Sequence, residues 1–402
     1  MPRPLHDRAP GAASHPARRP RLLFLVTEDW YFWAHRLPLA RAARDAGYEV
    51  AIATRVGHLS EQIKAENFRL EPLRWVRGSI NPFRLAADLW TLVRLYRRLR
   101  PDIIHHVSLK PIVLGTAAAR FVPGTVVLNA LTGRGYIFTA RAVRARMLAP
   151  LVSLLLRWLL RRPDTFVLLE NEDDRRFVID TIGVANERTA VNRGSGIDMN
   201  HFAVLPMPQA EPVTIGCAAR MLGIKGIADL VAASRILHTR NVPHRLLLAG
   251  ATDAESPDAI PEQMLRDWAR LDGVTWLGQI DDVRSLWRQC HVAALASLGG
   301  EGVPLSLVEA AACGRPLVAT DVPGSRDIAR HEVNALLAPP GAPQLLADAL
   351  QCLIQDRALC TTFAAASRRI AESTFSADQV LAATLALYDG LLRRSSASAS
   401  AT

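Results

Sequence analysis

The amino-acid sequence predicts an α/β fold made of two doubly wound domains, each with a parallel β-sheet at its centre. Short apolar segments typical of buried strands alternate with helical segments along most of the chain. Its 402 residues exceed what one hydrophobic core usually supports. A proline-containing stretch at 205–212 separates two series of such elements, so we place the domain boundary near residues 200–212.

The first series opens with a buried strand at 22–26. A helix at 35–46 follows and ends at Gly47, and the next strand is expected at 49–54. Further along, short apolar segments predict three more strands, at 102–106, 125–130 and 165–169.

The second series repeats this alternation after the proline-containing stretch. A helical pattern at 376–392 closes it. The expected strands are 213–218, 245–249, 274–277, 292–295 and 317–319.

The two ends of the chain differ in composition from the rest. Residues 1–19 are rich in Pro, Ala, Arg and His and lack the apolar stretch of a signal peptide, and residues 395–402 are mostly Ser and Ala. We expect both tails to be disordered. The five cysteines all lie in the second half without a C-x-x-C pair, which is typical of free thiols in a reducing, cytoplasmic compartment.

Positive charge is concentrated in the first half of the chain. Residues 1–200 hold 31 Lys and Arg against 18 Asp and Glu, whereas residues 201–402 hold 17 against 20. Much of the excess lies in two helical patterns, at 81–100 and 140–162. No recognisable nucleic-acid-binding module accompanies the basic residues, so we do not expect nucleic acid as a partner.

The basic helical pattern at 140–162 has an apolar middle that is too short to span a bilayer, which takes about 20 residues. One interpretation is a helix lying at the surface of an anionic membrane, with Leu154, Leu155 and Trp158 in the interface. The other is a core helix of the first domain with solvated ends. The basic residues at its two ends are Arg141, Arg144, Arg146, Arg161 and Arg162.

Glu301 and Glu309 stand eight positions apart across a predicted loop-to-helix junction. Pro304 suits the first helical position and Gly314 the end of the helix, which would place Glu309 about two turns in. Helix N-termini attract phosphate, and acids on either side are suited to accept hydrogen bonds from the hydroxyl groups of a sugar nucleotide. The alternative is a surface helix with two solvated glutamates.

Three motifs resemble the retaining glycosyltransferases of family 4, and they occur along the chain in that family's order. They are the segment 301–328 that contains both glutamates, the segment 216–226 that contains Arg220 and Lys225, and the interdomain segment 194–198. The resemblance implies the GT-B fold, in which two Rossmann-like domains face each other across a cleft. It implies an acceptor domain at 20–205, a nucleotide-sugar domain at 206–375, and a helix at 376–394 that crosses back to the first domain.

For the donor, the resemblance implies that Arg220 and Lys225 bind the diphosphate, that Glu301 binds hydroxyls of the sugar, and that Glu309 binds the ribose. Arg220, Lys225 and Glu301 are the expected catalytic residues. The protein's own cations would stabilise the leaving phosphate, so neither a metal nor another cofactor is expected. The remaining expected donor-binding residues are Gly302, Val303 and Leu305, through their N–H groups, with Ile280 beside the base and Gly196.

For the acceptor, the expected residues lie at the ends of the first and third predicted strands. Trp30, His35 and Arg36 come from the first strand-to-helix connection, where many members of the family have a glycine-rich loop. His105, His106 and Lys110 lie at the end of the strand predicted at 102–106. The alternative is that the aromatic residues close the core of the domain and that the histidines are structural.

The acceptor loops, together with 171–174, resemble the branch of the family that extends undecaprenyl-diphosphate-linked glycans. This implies a UDP-N-acetylhexosamine or UDP-hexose donor and a lipid-linked saccharide acceptor. Together with the basic helical pattern at 140–162, it leads us to expect an enzyme held at the inner face of the cell membrane by anionic lipid. Two other functions stay open: a UDP-N-acetylglucosamine 2-epimerase-like enzyme of the same fold, and a non-catalytic membrane-associated protein that binds sugar nucleotides.

Overall fold

A computed structural model of the chain describes residues 18–133, apart from 77 and 80, and residues 143–400, with the backbone alone for 143–149 and 396–400. It contains a seven-stranded and a six-stranded sheet, and every described pairing within each sheet is parallel. Helices cover the sheets, as expected for parallel strands joined by crossovers. The structure confirms the α/β fold with two Rossmann-like domains.

The first sheet has the strand order β3-β2-β1-β4-β5-β6-β7. The chain moves outward from β1 to β3 and then returns to pair β4 with β1. The strands are β1 (Arg21–Glu28), β2 (Glu49–Arg55), β3 (Arg69–Leu73), β4 (Ile103–Val107), β5 (Val126–Leu131), β6 (Thr165–Leu169) and β7 (Thr189–Val191).

The sequence predicted helical segments at 35–46 and 81–100 in the first domain. The connection after β1 is helical, so the helix predicted at 35–46 is a pair of shorter helices that begins earlier. The long helix at 82–99 starts where Asn81 caps it, with its side-chain oxygen accepting from the Phe83 N–H at 3.0 Å. The helices are α1 (Asp29–His35), α2 (Leu37–Asp45), α3 (Ser60–Ala65), α4 (Pro82–Leu99), α5 (Leu109–Ala119), α6 (Val143–Leu160) and α7 (Glu172–Phe177).

The second sheet has the order β10-β9-β8-β11-β12-β13, with the same outward movement and return. Its strands and the helices between them bury a continuous apolar core. The strands are β8 (Val213–Ala218), β9 (His244–Ala249), β10 (Val274–Gly278), β11 (Val292–Leu295), β12 (Leu317–Thr320) and β13 (Ala335–Ala338). The helices are α8 (Ile227–Thr239), α9 (Glu262–Trp268), α10 (Arg284–Trp287), α11 (Leu305–Ala312), α12 (Ser325–Ile328), α13 (Pro343–Gln355), α14 (Arg357–Phe375) and α15 (Ala377–Ser400).

The last helix, α15, leaves the second domain and packs on the first. Tyr388 is fully buried there and its hydroxyl lies 2.5 Å from Nδ1 of His105 on β4. Tyr48, just before β2, donates to Asp389 at 2.5 Å. The Ser- and Ala-rich end that the sequence predicted to be disordered from 395 continues this helix to Ser400, because alanine favours helical backbone. Residues 1–17 of the other predicted tail lie outside the described residues.

In both sheets the order of the strands changes direction beside the first strand, between β1 and β4 and between β8 and β11, although all the strands are parallel. Connections leave such a point on opposite sides and open a crevice at the carboxyl ends of the strands. The two crevices face each other, so the loops that follow β1, β4, β8 and β11 surround one cleft. No helix in the described part of the chain is both long and apolar enough to cross a bilayer.

Candidate active site

A cleft of about 510 Å³ lies between the two domains and is lined by both. The first domain contributes residues that follow β1, β4, β5 and β6, and the second contributes the loop after β8 and the segment that joins β11 to α11. The predicted site residues that line it are Trp30, His35, Lys110, Gly196, Arg220, Lys225, Glu301, Gly302, Val303 and Leu305.

Lys225 and Glu301 form a charged pair on the second-domain side of the cleft. The Lys225 Nζ lies 2.7 Å from Oε1 and 2.8 Å from Oε2 of Glu301. The Ser297 hydroxyl also donates to Oε1, at 2.5 Å. Because Glu301 is only 7% exposed, these donors compensate for much of the lost hydration of its carboxylate and hold it in one orientation.

A glycine brings Lys225 to this position. Lys225 ends a short 3₁₀ turn, and Gly226 follows with a φ of 66°, in the left-handed region. A Cβ at Gly226 would lie 1.8 Å from the carbonyl oxygen of Ala296, so any side chain would push the turn away from the end of β11. The close approach of these two backbones places the lysine beside the Glu301 loop.

Arg220 follows β8 and lies nearer the mouth of the cleft, with 44% of its side chain exposed. Its Nη1 donates to Asp253 at 2.8 Å, and its guanidinium carbon lies 5.8 Å from the ring centre of Trp30. Since Trp30 belongs to the first domain, the guanidinium faces an aromatic side chain across the cleft. Arg220 and Lys225 thus supply two positive charges to one side of the cavity.

Glu309 lies on α11 but does not line this cavity. The helix begins at Leu305, so Pro304 precedes it instead of opening it, and Glu309 stands about one turn in, not the two turns predicted. Burial, and secondarily the negative charge of Asp282, raise the pKa of Glu309 to about 8. In the described part of the chain its carboxylate has no hydrogen-bond or ion-pair partner, so it is able to accept hydrogen bonds from a ligand.

The other donor-side residues divide between the cleft and the core. Gly302, Val303 and Leu305 line the cleft next to Glu301, although the Val303 N–H is already used by a side chain of the first domain, described below. Gly196 lines the cleft too, and its missing side chain lets Ala377 pack against it. Ile280 lies outside the cavity lining and packs half-buried against the core of the second domain.

The structure places His105 and His106 in the core of the first domain and outside the cleft lining, so it does not support their predicted acceptor-binding role. Both side chains are fully buried, because β4 is the central strand of its sheet and is covered on both faces. His105 bonds to Tyr388, as described above, and His106 lies 3.0 Å from the Tyr96 hydroxyl and 2.8 Å from the Asn129 side-chain oxygen. Burial lowers the pKa of His106 to about 4, so it is a neutral structural histidine.

Arg36 also misses the cleft, because it turns inward beneath it. It is 5% exposed and ion-pairs with Glu170 at 3.6 Å. Lys110 does line the cleft, but its Nζ donates to the Val76 carbonyl oxygen at 2.7 Å and pairs with Asp88 at 3.2 Å. Of the acceptor-side predictions, Trp30 and His35 therefore have the freest access to the cavity.

The pKa of His35 is affected by the positive charges around the cleft. Burial lowers its pKa to about 3, assisted by the positive charges of Arg36, Arg220 and Lys225. The imidazole is neutral at physiological pH. A positive field at this point favours an anionic ligand such as a diphosphate.

Glu170 and Asn171, which the sequence analysis did not assign to the site, complete the first-domain wall. They follow β6, and Glu170 lines the cleft. The Glu170 Oε2 accepts from the Val303 N–H at 2.9 Å, and Asn171 Nδ2 donates to the Gly302 carbonyl oxygen at 2.9 Å. The available signal was their position at the end of a predicted parallel strand. Among the residues that the structure describes, no group of three or more His, Cys, Asp or Glu is arranged to hold a metal.

Two Rossmann-like domains that face each other across a cleft, with cationic and acidic side chains at their strand ends, define the GT-B class of enzyme. The model of the Glycosyl transferase 4-like family matches residues 21–168, and that of Glycosyl transferases group 1 matches residues 212–356. The matches cover most of both domains. The chain belongs to these family 4-like glycosyltransferases, as its motifs predicted.

Full-length relatives and solved structures agree with this assignment. The chain is 21% identical to the N,N'-diacetylbacillosaminyl-diphospho-undecaprenol alpha-1,3-N-acetylgalactosaminyltransferase of Campylobacter jejuni, over 93% of this chain and 99% of that protein. It is 26% identical to the putative glycosyltransferase EpsD of Bacillus subtilis, over 87% and 92%.

Two solved structures have the same fold. Sucrose-phosphate synthase from Thermosynechococcus elongatus superimposes with a TM-score of 0.77 at 20% identity, covering 94% of this chain and all 100% of that one. Anabaena HepE, in complex with UDP and glucose, superimposes with a TM-score of 0.75 at 19% identity, covering 92% and 100%. At these identities the likeness confirms the GT-B fold.

Proposed function

We propose that this glycosyltransferase moves a hexosyl or N-acetylhexosaminyl group from a UDP-sugar to a polyprenyl-diphosphate-linked saccharide, with retention of configuration and without a metal, in the assembly of a surface glycan. The observation that carries the proposal is the arrangement of Lys225, Glu301 and Arg220 on one wall of the cleft. Cations there suit a diphosphate, and the carboxylate beside them suits the hydroxyl groups of the attached sugar.

The reaction breaks the bond between the sugar C1 and the β-phosphate oxygen and forms a bond from C1 to an acceptor oxygen on the same face. Negative charge develops on the departing phosphate, where Arg220 and Lys225 stabilise it. The acceptor hydroxyl passes its proton to the leaving phosphate, so no protein base is required. The Glu309 carboxyl group, which has no hydrogen-bond partner among the described residues, gives up its proton and accepts hydrogen bonds from the ribose hydroxyls.

The class of donor and acceptor is supported by the relatives. The Campylobacter jejuni protein is named for transfer of N-acetylgalactosamine to a diphospho-undecaprenol-linked sugar, and HepE was solved with UDP and glucose. A diphosphate lipid also suits the positively charged first domain.

Contact with an anionic membrane at the inner face of the cell membrane is part of the proposal, and α6 supports it. One side of this helix packs inward through Leu156, Leu159 and Leu160, which are all buried. On the other side Leu151 and Leu154 are each 64% exposed. Exposed apolar side chains on a basic domain are typical of a surface that inserts into a lipid interface.

The same layer of the domain extends this apolar surface. Phe121, just after α5, is 52% exposed, and Trp158 on α6 is 54% exposed with the Arg120 guanidinium 3.9 Å from its ring. Arg162, predicted to face lipid, is instead half-buried and donates to the Thr125 carbonyl oxygen at 3.3 Å. Arg141 lies outside the described residues.

Turnover of a panel of UDP-sugars with synthetic polyprenyl-diphosphate saccharides, read as UDP release, tests the proposal. The expected product carries the anomeric configuration of the donor, determined by NMR. Release of a free, epimerised sugar without acceptor would identify an epimerase-like enzyme instead. UDP-sugar binding without turnover of any pair would identify a non-catalytic binding protein.

A further inference from the structure

Side chains of the first domain hydrogen-bond to both the C=O and the N–H of one peptide in the loop that follows Glu301. The Glu170 Oε2 accepts from the Val303 N–H at 2.9 Å, while Asn171 Nδ2 donates to the Gly302 carbonyl oxygen at 2.9 Å. Both groups of the peptide that joins Gly302 to Val303 are thereby held by adjacent side chains at the end of β6. These two hydrogen bonds cross from one domain to the other directly beside a catalytic residue.

Glycines on both sides allow this close approach. A Cβ at Gly302 would lie 2.0 Å from Glu170 Oε2 and 3.0 Å from the Thr132 carbonyl carbon. A Cβ at Gly133 would lie 2.3 Å from the Gly300 carbonyl oxygen. The edge of the first domain therefore sits directly on the backbone of the loop from Gly300 to Val303, with no room for a side chain between them.

Glu170 also forms an ion pair with Arg36 in its own domain. It is 9% exposed, and its Oε1 lies 3.6 Å from the guanidinium of Arg36, which is 5% exposed. Burial raises the pKa of Glu170, and the positive charge of Arg36 opposes this. A carboxylate taken out of water in this way requires partners, and it finds one in each domain.

We propose that Glu170 is a positioning residue for glycosyl transfer: it clasps the Gly300–Val303 loop to the first domain and so fixes Glu301 for the donor sugar. The inference rests on the proposed function. Glu301 is bonded to Lys225 on one side, and the next peptide is held by the clasp on the other. Without Glu170 the loop loses one of its two hydrogen bonds to the acceptor domain, and the sugar and the acceptor are aligned less well.

The test compares Glu170→Ala, Glu170→Gln and, as a control, Asp173→Ala, in the full chain. Asp173 is matched because it forms another contact between the domains, with Arg326 at 3.6 Å, but its side chain is 32% exposed and that of Arg326 is 42% exposed. Glu170→Ala is expected to lower kcat by about tenfold or more, the effect of losing one charge-assisted hydrogen bond that aligns the reacting groups. Glu170→Gln retains an accepting oxygen for the Val303 N–H and should recover part of this loss.

Two further measurements separate positioning from general structural damage. UDP affinity should change by less than about twofold, because Arg220, Lys225 and Glu309 belong to the second domain and do not contact Glu170. Amide hydrogen exchange at Val303, followed by mass spectrometry of the peptide that contains it, should speed up by about tenfold in Glu170→Ala. Asp173→Ala should leave kcat, UDP affinity and this exchange unchanged.

Unchanged kcat and unchanged Val303 exchange in Glu170→Ala would overturn the clasp. A Glu170→Ala variant in which kcat, UDP affinity and melting temperature all fall would also overturn it, because that combination indicates a defect in the fold. If the alanine variant does not fold, Glu170→Gln takes its place with the same criteria. If the parent protein transfers no sugar, the proposed function fails. The exchange measurement still decides on the clasp in that case.

Discussion

The Lys225 ammonium lies within 2.8 Å of both carboxylate oxygens of Glu301. The residue proposed to bind the phosphate and the residue proposed to bind the sugar are therefore hydrogen-bonded to each other. A sugar-nucleotide donor that binds both residues must weaken this ion pair, because Lys225 then contacts its phosphate and Glu301 its sugar. The pair also links binding chemistry to stability. Glu301 is 7% exposed, and removing the lysine would leave a buried carboxylate with Ser297 as its remaining hydrogen-bond donor among the described residues.

Replacing Lys225 by alanine should therefore affect both activity and stability. Turnover is expected to fall by about two to three orders of magnitude, in the range found for removing one electrostatic donor from a transition state. The free energy of unfolding should fall by about 1–3 kcal/mol, because a buried acceptor loses its charged partner. Steady-state kinetics and denaturant unfolding measure the two effects.

Lys64→Ala is the control for this experiment. Lys64 is a surface lysine paired with Glu61 at 2.7 Å, and 56% of its side chain is exposed, so its loss should change neither quantity appreciably. Near-normal turnover of Lys225→Ala would remove the lysine from the mechanism. Normal stability with impaired turnover would show that Glu301 rehydrates when its partner is lost.

The strands that carry the site were predictable because they lie in the middle of parallel sheets. Such strands are buried on both faces and appear as continuous apolar runs, so β6, β8 and β11 have the predicted bounds. The edge strands β3, β7 and β13 were missed. They are short or broken in pattern: β3 contains Pro72, β7 has three residues, and β13 has four.

The site residues show a similar division. Residues that follow predicted strands, such as Lys225 and Glu301, line the cleft as expected, because fold and motif both point to them. His105 and His106 lie within β4 and outside the cleft lining, and the sequence does not show how deeply a strand end is covered. Glu170 was missed because its role depends on a contact with the other domain. No local pattern encodes the distance between two domains.

The raised pKa of Glu309 leads to a prediction about pH. Its pKa is raised from 4.5, the value of an unperturbed Glu, to about 8, so its carboxyl stays protonated in the folded protein up to about pH 8. Between these values the unfolded chain releases a proton that the folded chain keeps, so this group makes stability fall as pH rises through the window. Glu309→Gln should remove that dependence and make the melting temperature at about pH 8 higher relative to the parent.

UDP binding offers a second measurement on the same residue. Ribose hydroxyls bond best to the ionised carboxylate, so UDP binding near neutral pH should release a proton and tighten as pH rises toward about 8. Calorimetry in buffers of different ionisation enthalpy detects the released proton. Glu332→Gln, at an exposed glutamate, is the control. Proton release that persists in Glu309→Gln would assign it to another group.

Activity should be independent of added divalent metal. The expected result is turnover that is essentially unchanged in excess chelator, because Arg220 and Lys225 supply the positive charge that a leaving diphosphate needs. Turnover is measured before and after chelation and again with Mn²⁺ or Mg²⁺ restored. Complete loss in chelator with recovery on adding metal would contradict the proposed mechanism.

The exposed face of α6 should decide membrane binding. Leu151, Leu154 and Trp158 are each more than half exposed. Replacing all three by serine should weaken binding to vesicles that contain anionic lipid by at least about tenfold, because each large apolar side chain contributes about 1.5–3 kcal/mol when fully buried in lipid. Binding of the parent should also need anionic lipid and weaken in salt, since Arg and Lys contribute about 1 kcal/mol each near such a surface. Co-sedimentation with vesicles measures both effects.

The control for this last experiment carries the same chemical change on the other domain. Leu345 and Met264 are 49% and 44% exposed there, and Leu345→Ser with Met264→Ser should leave vesicle binding unchanged. The α6 variant should keep the parent's turnover with a short, water-soluble acceptor, because its three positions are outside the residues that line the cleft. If it sediments with vesicles as well as the parent does, α6 is not the membrane contact. If the two substitutions in the second domain abolish binding, the membrane lies against that domain instead.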